Sequence, residues 1–426
     1  MICQWQMQLS AARTELPRQE FILESRNLYV DTLRGVAIVL VMLLHFGLAY
    51  GFKLPLPPVV PPSWVRALLV SGNYGVSMFF VISGFLITGN VLRRYGSLAA
   101  VDMKSFYLFR LFRLGPLLLL MLAIITALWL VGVPQFGNFH NKQPMPTWFQ
   151  WLAIFSVLTF WHNVLLEIVG NWFNYAMNIC WSLSVEEVFY LAFPFLIRFV
   201  QTRWLLLLVA LVFIMIAPAY RWLHSDDENY FLYGYLACFD QIAIGCLAAL
   251  LAARKRGWSN TMRKSGAIFC AIALAYFYLQ GFNGHEAFGF TWLATATAGL
   301  LICVADLNTN KLGACLMAPL SWIGARSYEL YLFHLVVLGI FTEVWSKATL
   351  DFNMKLPLMA LFFLLSMVVA AFAGGFVGNP LNQYLRRRYP SSRNAVADPA
   401  CSHHFSEYVS ESSPRHRSDR IPERLS

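Results

Sequence analysis

Long apolar runs dominate this chain and constrain it more than any motif. An α-helix needs about 20 residues to cross about 30 Å of hydrocarbon. Runs of that kind fall at 28–50, 74–92, 106–132, 178–198, 203–220, 231–252, 266–282, 287–304, 325–346 and 356–378, with an ambiguous further stretch at 148–166. Stretches such as Leu205–Leu208 are helical in character and lack the apolar-polar alternation of an outer-membrane barrel. Composition closes off the soluble alternatives. Of the 426 residues, 58% are hydrophobic and only 13% charged, against about a quarter charged in soluble domains. So few charges cannot coat a water-exposed surface. The expectation is an all-α polytopic membrane protein with about ten transmembrane helices.

Charge in the connecting segments sets the orientation. Lys and Arg concentrate on the cytoplasmic side of a membrane. The basic segments are Arg93–Lys104, Arg198–Arg203, Arg254–Lys264 and Arg386–Arg388, whereas the 221–230 loop carries Asp226, Asp227 and Glu228. With residues 1–27 inside, a full crossing by 148–166 puts two of the basic segments outside. If 148–166 does not cross, all four lie inside. Both termini are therefore expected in the cytoplasm, with 148–166 re-entrant or on the outer surface. The organisation follows: a cytoplasmic segment 1–27, a membrane domain 28–385 and a disordered cytoplasmic tail 386–426. No cleavable signal peptide is expected, because the first apolar run already carries Asp31 and Arg34. The net charge of +10 is then inner-leaflet bias and calls for no nucleic acid. The eight cysteines include no CxxC pair, so neither a disulfide framework nor a zinc site is expected. His403 and His404 in the tail are too weak a signal for a metal.

Ionisable groups at membrane depth are costly and by default mark function. The first span contains Asp31, Arg34 and His45. The eleven residues from Arg34 to His45 make about three helical turns and cover about 16 Å, so the two share a face. Asp31 lies within about 40° of His45 on the same wheel. This stripe reads as a cavity lining, or as an interfacial Asp31–Arg34 pair with a core histidine. Arg110 and Arg113 are spaced i,i+3, a turn or two inside the cytoplasmic edge. Paired guanidinium forks suit a diphosphate, and snorkelling to headgroups is the plainer alternative. Ser182, Glu186 and Tyr190 share one helical face by i,i+4 spacing. Glu187 reads as an interfacial carboxylate in water. Tyr331 and His334 are i,i+3 neighbours, a pattern equally at home in a packed core. Asp240 sits mid-span beside Gln241 and needs a partner that the sequence does not name. No phosphate loop, GxSxG elbow, HExxH or GxGxxG occurs.

Five ordered blocks carry a resemblance. They are Asp31-Thr-Leu-Arg34-Gly with His45; Gly75-Val-Ser-Met-Phe-Phe-Val-Ile-Ser83-Gly84-Phe85-Leu86; Arg110-Leu-Phe-Arg113-Leu-Gly-Pro116; Trp181-Ser-Leu-Ser-Val-Glu186-Glu-Val-Phe-Tyr190 with Pro194; and Ser327-Tyr-Glu-Leu-Tyr331-Leu-Phe-His334. Together they resemble the integral-membrane acyltransferase family 3, the bacterial polysaccharide O-acyltransferase type, over most of residues 27–385. The chain departs from that pattern at Ser77, at Val188 and at Asn379-Pro380. Some members carry an appended extracytoplasmic hydrolase-like domain; because this chain ends soon after its last apolar run, none is expected here.

The resemblance implies a multi-pass protein of the bacterial inner membrane. It implies transfer of an acyl group, usually acetyl, from cytoplasmic acyl-CoA to a hydroxyl of a cell-surface or exported carbohydrate such as a lipopolysaccharide, an exopolysaccharide or a lipid-linked glycan. His45, Arg34 and Asp31 would be catalytic, with His45 as general base. Arg110 and Arg113 would bind acyl-CoA. Glu186, Tyr190, Tyr331, His334 and Ser83 would bind the acceptor or support the site. No metal is implied. The competing reading is a transporter or flippase for a glycan or lipid-linked glycan, which would consume no acyl-CoA.

Overall fold

The computed structural model describes residues 27–51, 61–95, 101–199, 203–254, 258–305, 307, 309–347 and 351–389. His403, His404, nearly all of the N-terminal segment and most of the tail lie outside these residues. The helices are α1 (Leu28–Tyr50), α2 (Pro62–Val70), α3 (Asn73–Tyr95), α4 (Met103–Leu130), α5 (Thr147–Leu158), α6 (His162–Val169), α7 (Cys180–Phe199) and α8 (Arg203–Leu223). They continue as α9 (Glu228–Tyr233), α10 (Tyr235–Arg254), α11 (Asn260–Gln280), α12 (Gly289–Val304), α13 (Lys311–Ala325), α14 (Ser327–Val344), α15 (Phe352–Phe372) and α16 (Asn379–Arg388). A π-helical turn, Ala373–Gly378, joins the last two.

Among the described residues, nine helical stretches are long and apolar enough to cross a membrane. This is a multi-pass membrane protein. Its apolar faces point outward as well as inward: Met215, Phe269 and Ile272 are all well exposed on helices, as expected where lipid replaces water as solvent. The run expected at 287–304 folds as α12, which has 16 residues and a length of about 24 Å, short for a crossing. Among the described helices, α2, α13 and α16 correspond to no expected run. The longest is α13, whose 15 residues include Pro319, too short to register as a span. The stretch 148–166 breaks into α5 and α6, of 12 and 8 residues, neither long enough to cross alone. Tags inserted at 258 and at 400 are expected to read as cytoplasmic in an accessibility assay; an external reading at 258 refutes the topology.

Two close helix crossings hold the bundle together. Gly84 of α3 rests on the backbone of Ile242, and Gly245 of α10 on the backbone of Val81. A side chain at either position would meet main chain. Gly35 of α1 and Gly324 of α13 meet in the same way, against Leu320 and Asp31. Small residues at crossings let backbones approach where lipid supplies no hydrophobic drive.

The segment from 132 to 179 packs over one end of the bundle. It contains a two-residue hairpin, with Phe139–His140 antiparallel to Gln143–Pro144. Asn141 and Lys142 take the positive φ that such a turn requires. An isolated bridge joins Asn138 to Asn174.

Buried opposite charges fasten a second corner. Arg221, near the end of α8, is fully buried and pairs with Asp240 of α10 at 2.9 Å. Its other donors reach the carbonyls of Ala237 and Ala287 and the hydroxyl of Thr291. Thr291 in turn donates to Asp240 at 2.6 Å. Arg221 is thus the partner that Asp240 required.

Candidate active site

Helix α1 begins at an Asn27 cap, whose side chain accepts from the backbone N–H groups of Tyr29 and Val30. That start fixes the phase of the stripe. Asp31 and Arg34 form an ion pair at 3.9 Å. Electrostatic interactions link Arg34 to Arg113, Glu186 and Glu329 as well. Arg34 therefore belongs with the groups of α4, α7 and α14, about 16 Å from the level of His45.

His45 meets His334 of α14. The rings lie 5.0 Å apart by centroid, and His45 Nδ1 is 3.2 Å from His334 Nε2. His334 Nδ1 sits between two backbone carbonyls, those of Leu330 at 3.0 Å and Tyr331 at 2.9 Å. Carbonyls only accept, so Nδ1 of His334 carries its proton and Nε2 of the neutral ring offers a lone pair. His45 Nδ1 then faces two acceptors, His334 Nε2 and the Val41 carbonyl at 2.9 Å. It must be the protonated nitrogen. The consequence is a bare lone pair on His45 Nε2, the form a general base needs. The ring of Trp172 lies 6.4 Å from that of His45.

The carboxylates of α7 meet α4 and α3. Ser83 donates to Glu186 at 2.9 Å. Arg110 grips Glu187 through Nε, at 2.8 and 2.9 Å to the two oxygens, and lies 3.7 Å from Glu186. Its guanidinium stacks over the Tyr190 ring, 3.1 Å from the centroid. The water-facing role expected for Glu187 is corrected by this arrangement. Glu187 is buried and neutralises Arg110, because a cation at this depth needs a close counter-charge. Arg110 and Arg113 are consequently unlike. Arg110 is held by α7, whereas Arg113 is exposed and, among the described residues, pairs with no carboxylate. Tyr331 does not bond the His334 ring. Its hydroxyl lies 2.7 Å from the Ser182 hydroxyl and donates to the Ile179 carbonyl at 3.0 Å. Among the described residues, no group of three or more His, Cys, Asp or Glu side chains is placed to hold a metal.

The arrangement has two levels. His45, His334 and Trp172 form one; Asp31, Arg34, Ser83, Arg110, Arg113, Glu186, Glu187 and Tyr190 form the other. Sequence reasoning missed Trp172, which sits in a loop of no periodicity, and misread Glu187. The signal for Glu187 was its position one residue after Glu186 in a helix whose next charged residue is Arg198.

The family described as "Acyltransferase domain" matches residues 27–376, which spans every group of both levels. The chain belongs to this acyltransferase family. Similar proteins are O-acetyltransferase OatA of Staphylococcus aureus, 25% identical over 322 residues, 72% of this chain and 49% of the relative; the putative peptidoglycan O-acetyltransferase YrhL of Bacillus subtilis, 27% identical over 338 residues, 74% and 49%; and the peptidoglycan O-acetyltransferase OatA of Listeria monocytogenes, 24% identical over 335 residues, 74% and 50%. The chain spans about half the length of these curated relatives. No solved structure matches this acyltransferase-family chain.

Proposed function

We propose that this protein transfers an acyl group, acetyl in the first instance, from cytoplasmic acyl-CoA to a hydroxyl of a cell-surface or exported carbohydrate. The observation that carries the reading is the His45–His334 contact, which leaves His45 Nε2 free to take a proton. The names of the relatives, O-acetyltransferases of which two are described as acting on peptidoglycan, support a glycan acceptor. No observation favours the transporter reading.

His45 Nε2 removes the proton of the sugar hydroxyl as its oxygen attacks the thioester carbonyl carbon. The imidazolium that forms is shared with His334 through the Nδ1–H contact. The carbon–sulfur bond breaks, and His45 returns the proton to the departing thiolate. Arg34 is too distant from His45 to touch this centre. It serves the donor's charged end instead, beside Arg113, with Asp31 orienting it. The pantetheine arm spans the gap between levels. Arg110, Glu187, Glu186, Ser83 and Tyr190 hold α3, α4 and α7 in register around that path, and Tyr331 with Ser182 braces the helix that carries His334.

The test uses membranes containing the protein and acetyl-CoA labelled in the acetyl group. Label in the extracted glycan fraction, absent from membranes lacking the protein, is the expected result. Absence of both label and free CoA release, with acetyl-CoA and with succinyl-CoA, overturns the reading. Arg113→Ala is expected to raise the apparent KM for acyl-CoA by about tenfold, the loss of one charge-assisted contact of about 1.4 kcal/mol. An unchanged KM removes Arg113 from the donor site.

A further inference from the structure

A cavity outside both levels of the site lies at the Leu130 end of α4. Its volume is about 190 Å³, and Trp129, Phe139, Pro144, Asn138, Thr147 and Gln150 are among its walls. That is the scale of one sugar ring. The walls combine aromatic and proline faces with amides, the mixture that binds the apolar face and the hydroxyl edge of a pyranose. Trp129 is braced edge-on by Trp151, with ring centroids 6.3 Å apart.

The polar groups are not all satisfied. Gln150 is fully buried. Its Oε1 accepts from Asn138 at 2.6 Å, whereas its Nε2 has no partner among the described residues. A buried donor left without an acceptor is costly, so a group that answers it is expected to bind there. Thr147, the first residue of α5, is also a wall of the cavity, and the helix start has no side-chain cap. The unanswered Gln150 Nε2 is a donor, so an occupant that meets it presents an acceptor oxygen.

The cavity is connected to the surroundings of His45. Asn174 donates to Asn138 at 3.0 Å, and Phe139 N–H donates to the Phe173 carbonyl at 2.8 Å. Phe173 follows Trp172, the residue whose ring faces His45. Hydrogen bonds thus join the cavity wall to the 173–174 segment, and the Trp172 ring beside that segment packs near His45 without a hydrogen bond to it.

We propose that this cavity is a glycan subsite, holding one ring of the acceptor carbohydrate, with a carbonyl or hydroxyl oxygen of that ring against Gln150 Nε2, while a neighbouring ring reaches His45. The assignment rests on the acyl-transfer reading for the role of the bound sugar, but binding itself does not require a donor.

The experiment is calorimetric titration of the purified full-length protein with chitotetraose and with maltotetraose, without acyl-CoA. Saturable binding of either sugar is expected. Trp129→Ala and Gln150→Leu are each expected to weaken it about tenfold or more, Trp129→Phe to retain most of it, and Trp148→Ala, on an exposed residue of α5 away from the cavity, to leave it unchanged. Wild-type binding by both Trp129→Ala and Gln150→Leu overturns the proposal, as does no binding of either sugar by the wild-type protein. Sugar binding that depends on Trp129 in a protein that transfers no label overturns the acyl-transfer reading and leaves the subsite standing.

Discussion

Replacing His45 with alanine is expected to lower acyl transfer by about 10²–10⁴-fold, the usual contribution of general-base help, at unchanged protein level. His45 is half-buried, and its truncation removes one contact to His334 and leaves the helical backbone alone, so the loss should fall on turnover. His334→Gln separates proton chemistry from packing. A glutamine keeps a polar group near Leu330 and Tyr331 but cannot act as the single-tautomer ring that holds the proton on His45 Nδ1. Its expected effect is smaller than that of His45→Ala and confined to kcat, with KM for acyl-CoA unchanged. Transfer of labelled acetyl to glycan, normalised to protein in the membrane, reads both variants. Normal acylation by His45→Ala removes His45 as the base.

How much was legible beforehand depends on which physical signal each residue sends. The helices announce themselves, because a crossing needs about 20 apolar residues and few other segments supply them. The shared face of Asp31, Arg34 and His45 follows from helical phase alone. Contacts between helices send no such signal. That Ser83 would donate to Glu186, or that Tyr331 would bond Ser182 rather than its own neighbour His334, depends on how α3, α7 and α14 pack, which no local pattern encodes. Glu187 was misread for this reason: helical spacing ties it to nothing on α7, and its partner is Arg110, 77 residues earlier. Helix α13 escaped because a length criterion passes over a 15-residue helix that Gly324 seats against α1. The hairpin at 139–144 and the Trp172 loop owe their shape to turn geometry and to the Asn138–Asn174 bridge.

Asp240→Ala is expected to cost about 3–5 kcal/mol, because it strands the fully buried Arg221 cation without its counter-charge. A folded protein has only about 5–15 kcal/mol in hand, so a large fall in thermal midpoint in detergent, and in the amount of protein in the membrane, should follow. The cost lies in the orphaned charge rather than in the lost pair. Removing both charges together, as Asp240→Leu with Arg221→Met, is therefore expected to recover most of the stability, since apolar replacement of a whole buried pair is often neutral or better. Recovery would be incomplete to the extent that Thr291 loses its acceptor and the carbonyls of Ala237 and Ala287 lose their donors. A thermal midpoint for Asp240→Ala equal to wild type would mean that water or lipid headgroups reach Arg221, and the corner formed by α8, α10 and α12 would then be open rather than sealed. The same result in the double variant but not in the single one is what a sealed corner requires, and it separates this fastening from the proton chemistry at His45, which neither residue touches.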